Sequence, residues 1–251
     1  MLIDTHVHLG RWPFTFAPDY TAQQLAVHLR TRGISRALVS PLDAVLAPDP
    51  LPANRALFTA VRRFPALLPI PTVNPALAHW REQLDFAETG PLRTIKLYPN
   101  YHNYRLDASR LDAFFAEVQQ RKLKLIISVR IEDDRHRYFA LRMKDVPVKQ
   151  IAAFLNKYPK LHPLLVGPGL PNVRELAKLK CENFSADTSF MEWLESLSTL
   201  VREFPVRRIL FGSHAPFFIT KASIAKLTTA KLSAANRAAI GSGNAKRFFN
   251  L

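Results

Sequence analysis

The segment LIDTHVH, residues 2–8, is a short extended run that ends in two histidines. In a strand, residues two apart project from the same face, so Asp4, His6 and His8 share one face. Two imidazoles on one face are half of a metal site, and Asp4 has the spacing to orient one of the rings. The alternative is a pair of hydrogen-bonded histidines with no metal. The segment therefore predicts a first strand that carries functional side chains at its end.

Seven further apolar runs follow, each succeeded by an amphipathic segment. The runs cover residues 36–40, 67–73, 94–97, 123–129, 161–166, 183–187 and 209–212. The helical segments cover residues 21–32, 53–64, 76–87, 108–121, 148–158, 173–180 and 191–204, and more helix closes the chain. Eight strand-then-helix units in about 250 residues predict an α/β fold, a single (β/α)8 TIM barrel. A doubly wound open sheet is the alternative. No linker interrupts the pattern, so we expect one domain over residues 1–251.

The composition limits the class of protein. The 251 residues carry 35 Lys and Arg against 20 Asp and Glu, a net charge of +15, and 48% are hydrophobic, as in a globular protein. The positive residues are scattered and no nucleic-acid-binding motif accompanies them, so we expect no nucleic-acid partner. The single cysteine, Cys181, excludes an internal disulfide. Because no membrane-spanning run and no signal peptide are visible, we expect a cytoplasmic protein with no membrane contact.

In a barrel of this kind, chemistry lies at the carboxyl ends of the strands. Lys96 shares a face with Tyr98 and is expected to point inward, where a lysine is costly unless it is paired or functional. It could bind a substrate carboxylate or act as a nucleophile, and an ion pair with Glu132 or Asp187 is the structural alternative. Asp187 ends the seventh run and is the best candidate for a general base, unless it only caps the following turn.

The loops after the strands supply candidate substrate contacts. Tyr98 and His102 belong to an aromatic loop, residues 98–104, and Trp12 follows the first strand. We expect these three side chains to contact the substrate, with ordinary loop packing as the alternative. Residues 131–142 are dense in charge and predict either a lid that sets specificity or a solvated, salt-bridged segment.

Several motifs resemble the amidohydrolase superfamily. DTHVHLG (residues 4–10) resembles its first strand, TIKLYP (94–99) its fourth, SADTS (185–189) its seventh, RILFGSHAPF (208–217) its eighth and GNAKRFF (243–249) its closing helix. The motifs span the chain in the right order. They are most similar to the amidohydrolase-related branch that includes aminocarboxymuconate-semialdehyde decarboxylase and barrel lactonases. The resemblance implies a barrel of the metal-dependent-hydrolase type and a homodimer.

The sequence departs from that family at three metal-ligand positions. The family usually has histidines at the ends of strands five and six, where this chain has none, and His214 replaces its aspartate after strand eight. His6, His8 and His214 would still form a three-histidine site with a fourth position for water, as in catalytic zinc sites. Glu132 could be an alternative ligand or the base. We therefore expect a divalent metal, with zinc favoured.

The alternative to a metal is a small anion bound by the same histidines. Arg130, which stands where the family has a histidine, favours this alternative. A guanidinium is repelled by a metal cation, whereas it pairs well with a carboxylate.

Together, these features predict a metal-dependent hydrolase that cleaves a carboxylate-bearing ester, lactone or amide. A water on the three histidines, His214 included, would attack the carbonyl carbon. Lys96 and Arg130 would bind the carboxylate, while Asp187 or Glu132 would move protons. A non-oxidative decarboxylase of the same branch is the alternative enzyme. A metal-free barrel that only binds a small anionic ligand is the alternative outside catalysis.

Overall fold

The computed structural model describes residues 1–14, 17–133, 135, 138, 143–193 and 195–251. The strands are β1 (Leu2–Leu9), β2 (Ile34–Pro41), β3 (Leu67–Pro69), β4 (Thr94–Leu97), β5 (Lys124–Ser128), β6 (Leu164–Val166), β7 (Ser185–Asp187) and β8 (Ile209–Leu210). The helices are α1 (Ala22–Arg30), α2 (Leu51–Val61), α3 (Trp80–Glu88), α4 (Asp112–Gln120), α5 (Val148–Lys157), α6 (Leu170–Lys178), α7 (Ser196–Glu203), α8 (Thr220–Thr229), α9 (Ala234–Ala238) and α10 (Asn244–Phe249). Much of the predicted lid, namely residues 134, 136, 137 and 139–142, lies outside the described residues, and its role stays a prediction.

The strands form a closed parallel barrel. β1, β2 and β3 make one ladder, and β4 to β8 make a second. Backbone hydrogen bonds join the ladders at both seams. Between β3 and β4, the Lys96 amide donates to the Pro71 carbonyl and the Val73 amide donates to the Lys96 carbonyl. Between β8 and β1, the Thr5 amide donates to the Phe211 carbonyl and the His8 amide donates to the Ala215 carbonyl. The predicted (β/α)8 barrel is therefore confirmed, and the open sheet is excluded.

Apolar side chains fill the barrel towards the amino ends of the strands. This cluster comprises Ile3, Leu38, Ile70, Ile126, Leu164, Val166, Leu210, Ala245 and Phe249. A larger cluster, which includes Phe114, Phe115 and Phe154, packs the helices onto the outside of the strands. Because the interior is packed at one end, an inward polar side chain has room only near the carboxyl ends.

Local sequence explains where several elements begin and end. Thr21 caps α1, and its side chain accepts a hydrogen bond from the Gln24 amide at 3.2 Å. β6 starts at Leu164 rather than at the predicted residue 161, since Pro163 has no amide to donate to a ladder. α7 begins at Ser196, later than the predicted residue 191. Among the described helices, none is both long and apolar enough to cross a membrane.

Candidate metal and active site

Three histidines meet at the carboxyl end of the barrel. β1 supplies His6 and His8, and His214 follows β8, the strand that closes the barrel against β1. The His214 amide donates to the His6 carbonyl at 2.8 Å, which holds the two residues side by side. One nitrogen from each ring lies within 4.8 Å of the other two, and all three side chains are fully buried. The structure thus brings together the three residues predicted as metal ligands.

Hydrogen bonds determine which nitrogen carries the proton on two of these rings. His6 Nδ1 lies 2.8 Å from Asp187 Oδ2, and an ionised carboxylate only accepts, so Nδ1 donates. His214 Nε2 lies 2.6 Å from the carbonyl oxygen of Ile131 and donates to it. The remaining nitrogens, His6 Nε2 and His214 Nδ1, face each other at 3.1 Å. With Asp187 ionised and both rings neutral, both of these nitrogens carry lone pairs, and facing lone pairs repel unless a cation lies between them.

A proton does not supply that cation at neutral pH. Burial lowers the pKa of His6 well below its usual value, and the positive charge of Lys96 adds to this effect. Burial also lowers the pKa of His214 to about 4. Both rings are therefore neutral at pH 7, the form in which imidazole binds a metal.

His8 gives independent evidence that the site fits a metal ion. Its ring is fully buried, yet neither ring nitrogen has a hydrogen-bond partner among the described residues. A buried polar atom without a partner is costly. For zinc–nitrogen bonds of about 2.1 Å, tetrahedral geometry separates two ligand nitrogens by about 3.4 Å, close to the 3.1 Å between His6 and His214. The donor set of three neutral imidazoles therefore fits a divalent metal.

Asp187 orients His6 from the end of β7. Its Oδ2 accepts the Nδ1–H of His6, and its Oδ1 accepts the Gly167 amide at 2.9 Å. Burial raises the pKa of Asp187, while the Gly167 amide opposes the rise. Gly212 allows this close approach, because a Cβ there would overlap the Asp187 carboxylate. Both oxygens of the residue predicted as a general base are thus engaged in positioning His6.

His214 occupies a strained backbone conformation. Its φ of 59° lies in the left-handed region, which costs a residue with a Cβ about 1 kcal/mol. The structure holds it there from both sides, since its amide bonds His6 and its ring bonds Ile131. Strain maintained in this way is typical of functional positions.

Lys96 reaches the same region from β4. Its side chain is 1% exposed, and Nζ lies 5.1 Å from the centre of the Tyr98 ring. Within the described residues, Lys96 forms no ion pair with Glu132 or Asp187, the structural alternative weighed from the sequence. Burial lowers its pKa to about 7, and the charge of Asp187 opposes the shift. Lys96 can therefore hold or release a proton near neutral pH.

Aromatic and aliphatic side chains cover the histidines. This aromatic layer consists of Trp12, Leu42, Val45, Tyr98 and Ile131, with Phe14, Tyr101 and Phe217 packed against it. Trp12 Nε1 donates to Glu132 Oε1 at 3.2 Å, and the Phe217 ring stacks on His214 with centroids 4.9 Å apart. Burial raises the pKa of the Tyr98 hydroxyl, so it stays protonated. Three predicted site residues, Trp12, Tyr98 and Glu132, thus lie in or beside this layer.

Arg130 and His102 lie to the side. The Arg130 guanidinium pairs with Asp145 at 2.8 Å and donates to Asn172 Oδ1 at 3.0 Å. His102 is half-buried with its ring 6.2 Å from that of Tyr98, and burial lowers its pKa to about 4. The substrate contacts expected of both residues stay predictions.

Phe190 separates Arg130 from the histidines. Arg130, Phe190 and Trp193 line a cavity of about 420 Å³, here called the mouth cavity. The Phe190 ring lies 5.1 Å from the His214 ring and 5.4 Å from the Arg130 guanidinium. One aromatic ring therefore stands between the mouth cavity and the candidate metal ligands.

Sequence reasoning missed four residues of this arrangement: Ser189, Phe190, Gly212 and Phe217. Ser189 lies 3.2 Å from His6 Nδ1 and competes with Asp187 for it. Ser189 and Phe190 lie in the loop after β7, and Gly212 and Phe217 lie in the loop after β8. Their place after barrel strands was the signal that could have identified them, since such loops form the site.

Replacing Phe190 with alanine is expected to expose His214 to the mouth cavity. In metal-free protein, diethyl pyrocarbonate should then modify His214 about tenfold faster than in wild type, because reagent reaches a buried ring only through an opening. Peptide mass spectrometry would measure this rate. Trp193→Ala is the matched control, because Trp193 lines the same cavity. Equal His214 reactivity in both variants would argue against a separating role for Phe190.

Comparisons with known proteins extend over the whole chain. A family model described as Amidohydrolase matches residues 3–251. No curated protein matches the sequence at a significant level. Solved structures share the fold at low sequence identity. A manganese-bound dihydroxybenzoic acid decarboxylase from Polaromonas sp. JS666, with the inhibitor 2-nitroresorcinol, has a TM-score of 0.76 at 18% identity, over 100% of this chain and 97% of that one.

Two further structures show the range of activities on this fold. A 5-carboxyvanillate decarboxylase from Sphingomonas paucimobilis has a TM-score of 0.74 at 14% identity, over 100% of this chain and 99% of that chain. A probable 2-pyrone-4,6-dicarboxylic acid hydrolase from Acinetobacter baumannii, with citric acid bound, has a TM-score of 0.70 at 14% identity, with the same coverage. Similarity at this level concerns the fold, and function has to be argued from the site.

Proposed function

This chain belongs to the amidohydrolase family, and from that premise we propose that it is a metal-dependent, non-oxidative decarboxylase of a small aromatic or unsaturated carboxylic acid. The observation that carries the proposal is the pair of facing nitrogens of His6 and His214 beside the buried ammonium of Lys96, which forms no ion pair within the described part of the chain. The facing lone pairs suit a metal ion, and the ammonium suits a carboxylate. The aromatic layer above them suits a flat, unsaturated substrate.

The proton donors and acceptors of the site favour decarboxylation over hydrolysis. Decarboxylation replaces carbon dioxide on carbon by a proton, so it needs an acid, and Lys96 has a pKa of about 7. Hydrolysis needs a base that deprotonates water. The Asp187 oxygens already accept from His6 and Gly167, and Glu132 accepts from Trp12. Asp187 and Glu132, the two carboxylates predicted to move protons, are thus better placed to position other groups than to act as the base.

Each residue of the site would have its own role in the decarboxylation. Trp12 and Tyr98 would pack against the substrate ring, and Lys96 would attract its carboxylate on binding. Lys96 Nζ would then donate a proton to the carbon that bears the carboxylate. The bond from that carbon to the carboxylate breaks, its electrons return to the unsaturated system, and carbon dioxide leaves. A divalent metal bound by the three histidines would supply a Lewis acid that stabilises negative charge on substrate oxygens.

The donor set also bears on the identity of the metal. Three imidazoles with no carboxylate suit zinc, whereas manganese prefers oxygen ligands. We therefore propose zinc here, although the Polaromonas decarboxylase contains manganese. Elemental analysis of protein purified without chelator or added metal would test this, with about one zinc per chain expected.

Hydrolysis of a carboxylate-bearing ester, lactone or amide is the second candidate. The observation that favours it is again the three-histidine donor set, because in zinc enzymes this set activates water at neutral pH. In that case a metal held by His6, His8 and His214 would supply the activation of water, and neither Asp187 nor Glu132 would be needed as the base.

The two candidates differ in their products. Zinc-loaded protein would be incubated with carboxyl-labelled 2,6-dihydroxybenzoate and 5-carboxyvanillate, and separately with 2-pyrone-4,6-dicarboxylate. Release of labelled carbon dioxide from either benzoate, absent in a Lys96→Met variant, is the expected result. Ring opening of the pyrone with no carbon dioxide from a wider panel of aromatic acids would favour the hydrolase.

Asp187→Asn is expected to weaken zinc binding by about 10- to 100-fold. An amide cannot fix the His6 tautomer as a carboxylate does, and loss of such a partner typically costs that much affinity. Competition with a fluorescent zinc chelator would measure the change. Ser189→Ala is the control, since Ser189 is the longer of the two contacts to His6 Nδ1. An unchanged affinity in Asp187→Asn would contradict the orienting role.

We also propose that residues 1–251 form one domain and that the protein assembles as a homodimer. A single cooperative unfolding transition would support the first statement. Light scattering across a concentration series would test the second.

A further inference from the structure

A second cavity, here called the basic cavity, lies at the opposite end of the barrel from the histidines. It has a volume of about 430 Å³ and is lined by Gln23, Ala26, Val27, Leu29, Arg30, Ile34, Ser35, Arg36, Ala37, Arg63, Phe64, Pro65, Ala66 and Leu67. Residues 34–37 begin β2 and Leu67 begins β3, so the cavity sits at the amino ends of these strands. Leu29, Ile34, Ala37 and Leu67 belong to the cluster on the outside of the strands, so the cavity lies outside the barrel, at the end opposite the candidate active site.

All the charged side chains that line the basic cavity are positive. Arg30, Arg36 and Arg63 contribute three guanidinium groups, and no Asp or Glu lines it. None of the three forms an ion pair with a carboxylate of the described residues. All three are exposed to solvent, unlike Arg121, which is mostly buried and paired with Asp85 and Glu88. Three like charges around one space repel each other, and an anion would relieve that repulsion.

The interior of the same cavity is apolar. Leu29, Ala37 and Leu67 form a buried floor, with exposures of 2%, 1% and 3%. Val27 is 43% exposed beside them, and the half-buried ring of Phe64 completes the wall. Because the three floor side chains are already buried, the apolar surface that a ligand would remove from water belongs to Val27, Phe64 and the exposed Pro65 and Ala66. A nucleic-acid backbone would use the charges but leave this apolar surface uncovered.

We propose that the basic cavity is a second ligand site, which binds a small free amphipathic anion with an apolar body and a carboxylate or phosphate head. The volume lies within the range of ordinary ligand pockets, about 300–1,000 Å³. Guanidinium groups bind such heads through paired, charge-assisted hydrogen bonds. The proposal does not depend on the decarboxylase, since it uses none of the residues of the histidine site.

Titration calorimetry with monomeric decanoate tests the site. Wild type is expected to bind one decanoate per chain, while decanol (no charge) and acetate (no apolar body) bind at least about tenfold more weakly. The Arg30→Gln/Arg36→Gln/Arg63→Gln variant should lose at least about tenfold in affinity. A matched variant, Arg110→Gln/Lys149→Gln/Lys221→Gln, removes the same charge from exposed positions elsewhere and should bind as wild type.

Two further variants distinguish binding inside the basic cavity from attraction by charge alone and from binding at the histidine site. Ala26→Phe fills the cavity without changing charge and should also abolish decanoate binding. His8→Ala should bind decanoate as wild type does, so failure of the decarboxylase proposal would leave this result unchanged. Equal affinity in the two triple variants would overturn the proposal, as would binding to anionic phospholipid vesicles without binding to monomeric decanoate.

Discussion

Purified His8→Ala protein is expected to contain less than about 0.1 metal ion per chain and to have no measurable activity. His8 is the histidine whose ring nitrogens have no hydrogen-bond partner among the described residues. Its removal therefore deletes a ligand without breaking a hydrogen bond within that part of the chain. Losing one of three protein ligands should weaken metal binding at least about 100-fold. Elemental analysis beside wild type, both purified without chelator, measures the effect.

His79→Ala is the matched control for this substitution. His79 is partly exposed, lies 3.2 Å from Asp49 and is not one of the three clustered histidines. We expect it to retain both metal and activity. A His8→Ala protein that keeps its metal would overturn the ligand assignment, and the alternative of an anion site without metal would then gain support.

The metal site should also persist at lower pH than isolated histidines would allow. Protons compete with a metal for imidazole, and an ordinary histidine is protonated below about pH 6.5. Burial lowers the pKa of His214 to about 4 and that of His8 well below its usual value. Because the folded rings stay neutral, metal occupancy should hold between about pH 6 and 5 in folded protein. Metal content after equilibrium dialysis at each pH would test this.

The strand pattern was predictable because it depends on local periodicity. β4 coincides with the predicted residues 94–97, and the period of two placed His6 and His8 on one face. The ring contacts were not predictable. That His214 would present Nδ1 to His6 depends on a left-handed backbone and on the Ile131 carbonyl, which lies 83 residues away. Arg130 likewise pairs with Asp145, a partner that no spacing rule indicates.

Lys96→Met is expected to stabilise the metal-free protein at pH 7 while it reduces turnover about 10³-fold. The lysine is buried and forms no ion pair with a carboxylate of the described residues, and burial lowers its pKa from 10.5 to about 7. At about 1.4 kcal/mol per pH unit, that shift corresponds to a cost of order 4 kcal/mol at pH 7. Loss of a general acid typically costs 10² to 10⁴ in rate. A residue that lowers stability and supports catalysis is typical of an active site.

The effect of Lys96→Met on stability should depend on pH. Above pH 10.5 the lysine is neutral in both folded and unfolded chains and adds no cost. Between pH 10.5 and about 7 the unfolded chain binds the proton and the folded chain does not, so wild-type stability falls as pH falls. The advantage of Lys96→Met should therefore grow from roughly 2 kcal/mol at pH 9 to roughly 4 kcal/mol at pH 7 and then level off. Urea unfolding of chelator-treated protein at both pH values measures the difference.

Lys226→Met distinguishes this effect from a general consequence of removing a buried lysine. Burial also lowers the pKa of Lys226, but its Nζ donates to the carbonyls of Thr188 and Ser189 at 3.2 and 2.9 Å. Removing it leaves two carbonyls without their donor, so Lys226→Met should destabilise the protein by about 1 to 3 kcal/mol. If both variants instead lose stability equally at pH 7, Lys96 has a compensating partner in the folded protein. It would then be a structural residue rather than the proton donor of the reaction.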